Sequence, residues 1–196
     1  MIRVKAHRRK LRNGRYILVR EHRRIVQRGV SPRVDSLDAL YDYANGDTTH
    51  INYGLRRGSS TAEELKIADK LSRLETPMEL PTLYRATLWK DISADFGVTR
   101  KNISSMVGKD IADKGYMSTS KDSRVPKMMY PIDKNTVFLN IKSKGKHRAI
   151  DVNGLLGKKS PASYQKEVLL GRNTRLTITG VKEKDGITYI DVELKS

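Results

Sequence analysis

Apolar positions along this chain change their period near its middle. Leu37, Leu40, Tyr41 and Ala44 recur at helical spacing after Asp35, and Asn45-Gly46 stops them, which predicts a short amphipathic helix. A second short helix is expected over 49–56, ended by Gly58-Ser59-Ser60. Thr61-x-x-Glu64 reads as a capping box for a helix to about residue 75, with Leu65, Ala68, Leu71 and Leu74 as its apolar stripe. Pro77 and Pro81 close this helical part. From Leu83 onward the pattern is that of strands, expected over 83–89, 115–120, 136–142, 166–171, 174–179 and 187–194. The last two meet through Asp185-Gly186, a favoured hairpin turn, and one further helix is expected over 102–107. Helices first and strands afterwards describe an α+β domain.

The stretch before this domain is of another kind. Residues 2–29 read as a basic β-hairpin, with Asn13-Gly14 as its turn and Tyr16-Ile17-Leu18-Val19 as a β-prone arm. Ala-His-Arg-Arg at 6–9 is echoed by Glu-His-Arg-Arg at 21–24, as two arms of one hairpin would be. Ser31-Pro32 marks the boundary, giving an arm over 1–33 and a domain over 34–196. The formal charge of +17 is concentrated there: residues 1–33 carry 12 Lys or Arg against Glu21 alone, while the other 163 carry 27 against 21 acids. Such an arm either attracts polyanions, nucleic acid among them, or serves as a solubilising tail.

Composition removes several chemistries. With no cysteine there is no disulfide and no thiolate metal site. The four histidines, His7, His22, His50 and His147, form no ligand pattern, so no metal is expected. No apolar run approaches the roughly 20 residues that span a bilayer, and no apolar segment follows the basic N-terminus. The expectation is a cytoplasmic protein that does not engage a membrane.

Three short stretches carry candidate chemistry. Tyr164-Gln165-Lys166-Glu167 precedes Val168-Leu169-Leu170, an apolar run that reads as a buried strand. Strand side chains alternate, so Gln165 and Glu167 are expected on one face. Arg85 lies within Leu83-Tyr84-Arg85-Ala86-Thr87-Leu88-Trp89, where a guanidinium either grips a phosphate bidentately or pairs with an acid of the sheet. Gly115-Tyr116-Met117-Ser118-Thr119-Ser120 ends a strand in three hydroxyls, which serve either a carboxylate or ribose, or simple turn chemistry.

In that order, an arginine strand, an aromatic-x-Ser-Thr-Ser strand and Gln-x-Glu before Val-Leu-Leu resemble the ADP-ribosyltransferase exoenzyme family. The resemblance runs from about Leu37 to the C-terminus, and Ala39-Leu40, Tyr43, Ile51-Asn52 and Leu55-Arg56 resemble the helical lead-in that the family packs against its cofactor cleft. It implies N-terminal helices packed on two antiparallel sheets, with NAD in the cleft between them as substrate. It gives Arg85 the NAD diphosphate, Ser118 the orientation of the catalytic glutamate, and Glu167 that glutamate's role. Thr119 and Ser120 join Ser118 at the cofactor, Tyr43 packs on it, and Gln165 sits where the family selects its acceptor. Many relatives have a second arginine where this chain has Ala86, so Arg124 or Lys127 is expected to supply phosphate binding. Two further departures are Ala162, where relatives often have an aromatic that is here replaced by the adjacent Tyr164, and Thr48, where many have tyrosine.

The implied activity is NAD-dependent mono-ADP-ribosylation of a host protein or nucleic acid in the same cytoplasm, as phage-encoded members perform it. An NAD glycohydrolase, and a nucleic-acid-binding or virion structural protein with an inactive transferase fold, are the alternatives.

Overall fold

The computed structural model describes residues 2–4, 7–10, 16–19, 22–24, 32–157, 160 and 163–195. The chain divides into two compact units, Met1–Asp35 and Ser36–Ser196. In the first, β1 (Ile2–Val4) pairs antiparallel with β4 (His22–Arg24), and β2 (His7–Lys10) with β3 (Tyr16–Val19). The expected Asn13-Gly14 turn, and Ser31 of the expected boundary, lie outside the described residues.

Three helices follow, the first of them beginning before the boundary at Ser36: α1 (Pro32–Ala44), α2 (Ile51–Arg57) and α3 (Ala62–Ser72). The capping box forms as read, with Glu64 N donating to Thr61 Oγ1 and Thr61 N to Glu64 Oε2. Gly58, with φ 68°, ends α2 in the left-handed conformation that costs glycine least. Of the expected stripe on α3, Ala68 and Leu71 are buried and Leu74 follows them inward, but Leu65 is 43% exposed. Ile67 packs against the core instead. No described helix is long and apolar enough to cross a membrane.

The strands are β5 (Thr76–Glu79), β6 (Leu83–Leu88), β7 (Asp110–Asp113), β8 (Met117–Ser120), β9 (Thr136–Lys142), β10 (Lys146–Asp151), β11 (Glu167–Leu170), β12 (Thr174–Lys184) and β13 (Ile187–Leu194). They form one ladder ordered β5-β10-β11-β8-β6-β9-β13-β12-β7. The β6–β8 join rests on a single residue pair, Tyr84 with Ser120. The expected two sheets are thus the two halves of a ladder that nearly parts at this point. All pairings are antiparallel except β9 with β13, which is parallel. Asp185 and Gly186, with φ 54° and 73°, make the β12–β13 turn, the positive pair such a turn needs.

Alternation along β8, β10 and β11 separates two cores. Met117, Ala149, Val168 and Leu170 join the core of the sheet, with Leu83, Leu139, Ile141, Ile178 and Val192. Tyr116, Ile150 and Leu169 face the helices and pack with Leu40, Tyr43, Ile51 and Leu71. Parity therefore turns Glu167 and Ser118 toward the helical side of the sheet.

Several elements differ from the expectation. Thr76–Glu79 is an edge strand despite Pro77, because an outer strand leaves one row of N–H groups unpaired. The expected 83–89 strand turns at Trp89 into α4 (Trp89–Phe96). The expected 102–107 helix is one 3-10 turn, Ile103–Met106. α5 (Arg124–Met129), α6 (Val152–Leu156), β7 and β10 were not foreseen.

Candidate active site

A cleft of about 460 Å³, open to solvent, lies where the two halves of the sheet meet. Tyr84, Arg85 and Ala86 of β6, and Ser118, Thr119 and Ser120 of β8, line it together with Gln165 and Glu167. Val125, Pro126 and Met129 of α5, with Tyr130, make the remaining wall. The split between β6 and β8 opens this space, since below Tyr84 and Ser120 the strands no longer pair.

Arg85 reaches across that split and donates from Nη1 to the Ser118 carbonyl at 2.8 Å. Glu167, the first residue of β11, is only 6% exposed. Burial raises its pKa first of all, while the Ser118 hydroxyl and the Arg85 charge pull the other way. A guanidinium, a hydroxyl and a carboxylate thus converge on one wall of one cleft. Among the described residues, no group of three or more His, Asp or Glu is placed to hold a metal ion.

The other two hydroxyls bind backbone. Thr119 Oγ1 donates to the Val168 carbonyl (2.6 Å), fastening β8 to β11. Ser120 Oγ donates to the Gln165 carbonyl (2.6 Å) and accepts from Asp122 N (2.9 Å). These bonds fix the entry to Glu167 as a turn chemistry reading anticipates, although both residues also line the cleft.

Gln165 does not share a strand face with Glu167. It ends a 3-10 turn, Ser163–Gln165, and Lys166 then takes φ 46°, so the strand begins only at Glu167. The alternation argument fails at that left-handed residue, yet the turn still delivers Gln165 to the cleft. Its Nε2 donates to Tyr164 Oη at 3.2 Å, and Tyr164 is 59% exposed. Ala162 lies outside the described residues.

Three more expected residues stand elsewhere than at the cleft surface. Tyr43 is 2% exposed and lies behind the floor, its phenol next to Ser118 and Asn52. Arg124 is 78% exposed on its side chain and doubly bonded to Asp122, so as it stands its guanidinium is engaged away from the cleft. Lys127 is exposed on α5. Arg124, and then Lys166, hold the Asp122 carboxyl well below the usual carboxylate range. Thr48 has a buried hydroxyl without a hydrogen-bond partner.

Four further residues support the site: the sequence placed Asn52 and Arg56 only within the helical lead-in, and it pointed to neither Asn153 nor Asp113. Asn153 accepts from Glu167 N (3.1 Å) and donates to the Ser163 carbonyl (2.6 Å), tying α6 to both ends of the turn that carries Gln165. Asn52 and Arg56 of α2 hold the link before β8, and Asp113 grips Arg56 with both carboxylate oxygens at 2.7 Å. Only the Asn52 and Arg56 spacing, one helical turn apart, hinted at a shared face.

Comparison with known proteins agrees with this geometry. No curated protein matches the chain. Among solved structures, the C3 exoenzyme of Clostridium limosum superposes with a TM-score of 0.62 at 21% identity, over 82% of this chain and 85% of that one. C3stau2 of S. aureus, solved with NAD, gives 0.66 at 19% identity over 83% and 87%. The Vis toxin of Vibrio splendidus gives 0.61 at 19% identity over 83% and 73%. These likenesses concern the fold. Residues 26–196 match the family model described as ADP-ribosyltransferase exoenzyme, and on that match, spanning the helices, the divided sheet and the cleft, the chain belongs to the ADP-ribosyltransferase exoenzyme family.

Proposed function

We propose that this protein binds NAD in the β6–β8 cleft, breaks the bond between nicotinamide and ribose, and transfers ADP-ribose to a macromolecular acceptor. The observation that carries the reading is the convergence of Arg85 and Glu167 on Ser118 within one cleft. When the bond breaks, its electron pair leaves with nicotinamide and neutralises the pyridinium, so no general acid is needed. Positive charge then develops on the ribose, as in glycoside cleavage. Glu167 faces that charge from a fixed, buried position and stabilises it more in the transition state than in the ground state. An acceptor atom forms the new bond to the same carbon and gives up its proton. Gln165, uncharged, offers an amide to that acceptor and is a poor base for deprotonating a guanidinium. The concentration of positive charge in residues 1–33 supports an acceptor on or near nucleic acid.

Incubating the protein with labelled NAD and cell lysate, with and without nuclease, tests this reading. A labelled band that survives nuclease identifies a protein acceptor, and a label lost with nuclease identifies nucleic acid. Free ADP-ribose as the sole product makes the protein a glycohydrolase, and intact NAD refutes the proposal.

Arg85 carries a separate expectation. Its guanidinium is anchored at one N–H by the Ser118 carbonyl, which fixes the plane it presents to a diphosphate. Lysine supplies a point charge without that plane. Arg85→Lys is expected to weaken NAD binding by roughly ten- to a hundredfold, the worth of one charge-assisted bond. Calorimetry in a Glu167→Gln background, where NAD is consumed far more slowly, measures it; equal affinity removes Arg85 from the substrate.

A further inference from the structure

We propose that the protein carries a second ligand site, separate from the NAD cleft, that takes a singly charged carboxylate with a small apolar body. The site is a cavity of about 680 Å³ that shares no lining residue with the cleft. Trp89, at the start of α4, forms one wall. Arg100, with Ser104 of the following 3-10 turn, forms the second. The β12–β13 hairpin closes the third side and belongs to the half of the ladder that lacks Glu167.

Two opposite charges line this space and do not pair with each other. Arg100 lies over the Trp89 indole, 5.5 Å from the ring centroid, within the range of cation–π attraction. Among the described residues, no carboxylate forms an ion pair with it. The loop that carries Arg100 is tied from within. Asn102 Oδ1 accepts from Thr99 N at 2.7 Å, and Asn102 Nδ2 donates to the Gly97 carbonyl at 3.1 Å. Val98 and Ile103, 1% and 5% exposed, hold the two ends of this loop in the core. On the facing wall, Glu183 stands directly across the hairpin from Thr188. Val181 and Glu183 both line the cavity, so period two turns Lys182 and Lys184 to the other face. Arg100 is therefore the one cation among the described residues of the lining.

The lining is rich in donors and short of acceptors. Arg100 brings a guanidinium, and Ser104 and Thr188 bring hydroxyls. Trp89 Nε1, which can only donate, is buried without a partner. A carboxylate supplies two oxygens in the plane that a guanidinium fork matches. The indole, Ile103 and Val181 give an apolar body something to pack against. Glu183 limits the charge of the ligand, because a carboxylate on the wall repels a dianion more than a monoanion. Phosphate esters are thus disfavoured relative to a carboxylate of the same shape.

Trp89 is the chain's one tryptophan, so its fluorescence reports on this cavity. The test titrates cyclohexanecarboxylate into the wild type, following Trp89 emission and, independently, heat by calorimetry. Saturable binding is expected, with a dissociation constant on the order of 1 mM, the scale for so small a ligand. Cyclohexanecarboxamide keeps the shape without the charge, and cyclohexyl phosphate is a dianion at about pH 8. Each should bind at least about tenfold more weakly. Arg100→Leu should weaken the carboxylate by about tenfold or more, and Arg100→Lys by less. Glu183→Gln should narrow the gap between phosphate and carboxylate. Saturating Glu167→Gln protein with NAD should leave carboxylate affinity within about twofold. The absence of a saturable response overturns the proposal. So does equal affinity for the carboxamide, which makes the cavity an apolar hollow, and so does a phosphate that binds the wild type as well as the carboxylate. Unchanged affinity in Arg100→Leu overturns it too, as does displacement by NAD, which puts the ligand in the cleft. None of these readings depends on whether the cleft cleaves NAD, so the failure of either proposal leaves the other standing.

Discussion

Glu167→Gln is expected to retain the fold and to bind NAD while losing about 100- to 1000-fold in turnover, the usual cost of removing one preorganised electrostatic group. The substitution keeps the shape of the side chain and the backbone bond from residue 167 to Asn153. It removes the one charge that Glu167 brings to the developing cation. Stability should respond in the opposite sense. Burial raises the Glu167 pKa above its ordinary value, ahead of the opposing help from Ser118 and Arg85. Below the ordinary glutamate range both folded and unfolded chains hold the proton, and no penalty exists. As pH rises to the raised folded value the penalty grows to its full size, because the unfolded chain ionises more readily. The glutamine variant carries no such penalty and should be equally or more stable at neutral pH, an instance of activity held at the expense of stability. Turnover of the wild type should fall as pH drops through that raised range, at higher pH than for an ordinary glutamate, and the residual rate of the variant should lack this limb. Denaturant titrations and rate profiles over the same pH series measure both. Wild-type turnover in folded Glu167→Gln protein would falsify the role of the carboxylate.

The parts of the fold that were legible are those where burial and period agree. β9 and β13 bury alternate or continuous apolar positions, and α3 announces its start through Thr61 and Glu64. β10 was not legible because Lys146 and Arg148 point outward and only His147, Ala149 and Ile150 are buried among its six residues. β5 hides behind Pro77, which a central strand would exclude and an edge strand tolerates. Arg85, Ser118 and Glu167, which line one cleft, could be singled out because three local motifs occur in order. Asn52 and Arg56 were placed only in the helical lead-in, because their partners lie 64 and 57 positions away and no local pattern encodes such a pairing. The Gln165 expectation went astray for a backbone reason. Period-two reasoning assumes an unbroken strand, and Lys166 at φ 46° breaks it.

Asp113→Ala is expected to destabilise the domain by about 3–5 kcal/mol, because it strands a buried guanidinium. Asp113 is 1% exposed on its side chain and Arg56 only 15%. Two bonds of 2.7 Å join them in a fork that matches the carboxylate plane. With Asp113 gone, Arg56 retains Asp95 at 3.3 Å and the Tyr116 carbonyl at the same distance. Asp95 is a weaker partner, since burial raises its own pKa. The pair also has a place in the architecture. Asp113 ends β7, the last strand of one half of the sheet, while Arg56 belongs to α2, which packs over the other half. The ion pair therefore braces the two halves whose separation forms the cleft. A buried pair need not be worth this much in total, because desolvating both charges offsets most of their attraction. The double variant Arg56→Met/Asp113→Leu should accordingly recover a large share of the stability that Asp113→Ala loses. It should not recover turnover, because the Tyr116 carbonyl then loses its donor and the link before β8 keeps only its Asn52 bond to α2. Equilibrium denaturation of the singles and the double separates these outcomes: a folded Asp113→Ala protein within about 0.5 kcal/mol of wild type, the range of an ordinary surface substitution, would show that the brace carries no strain and that the cleft is held open by packing alone.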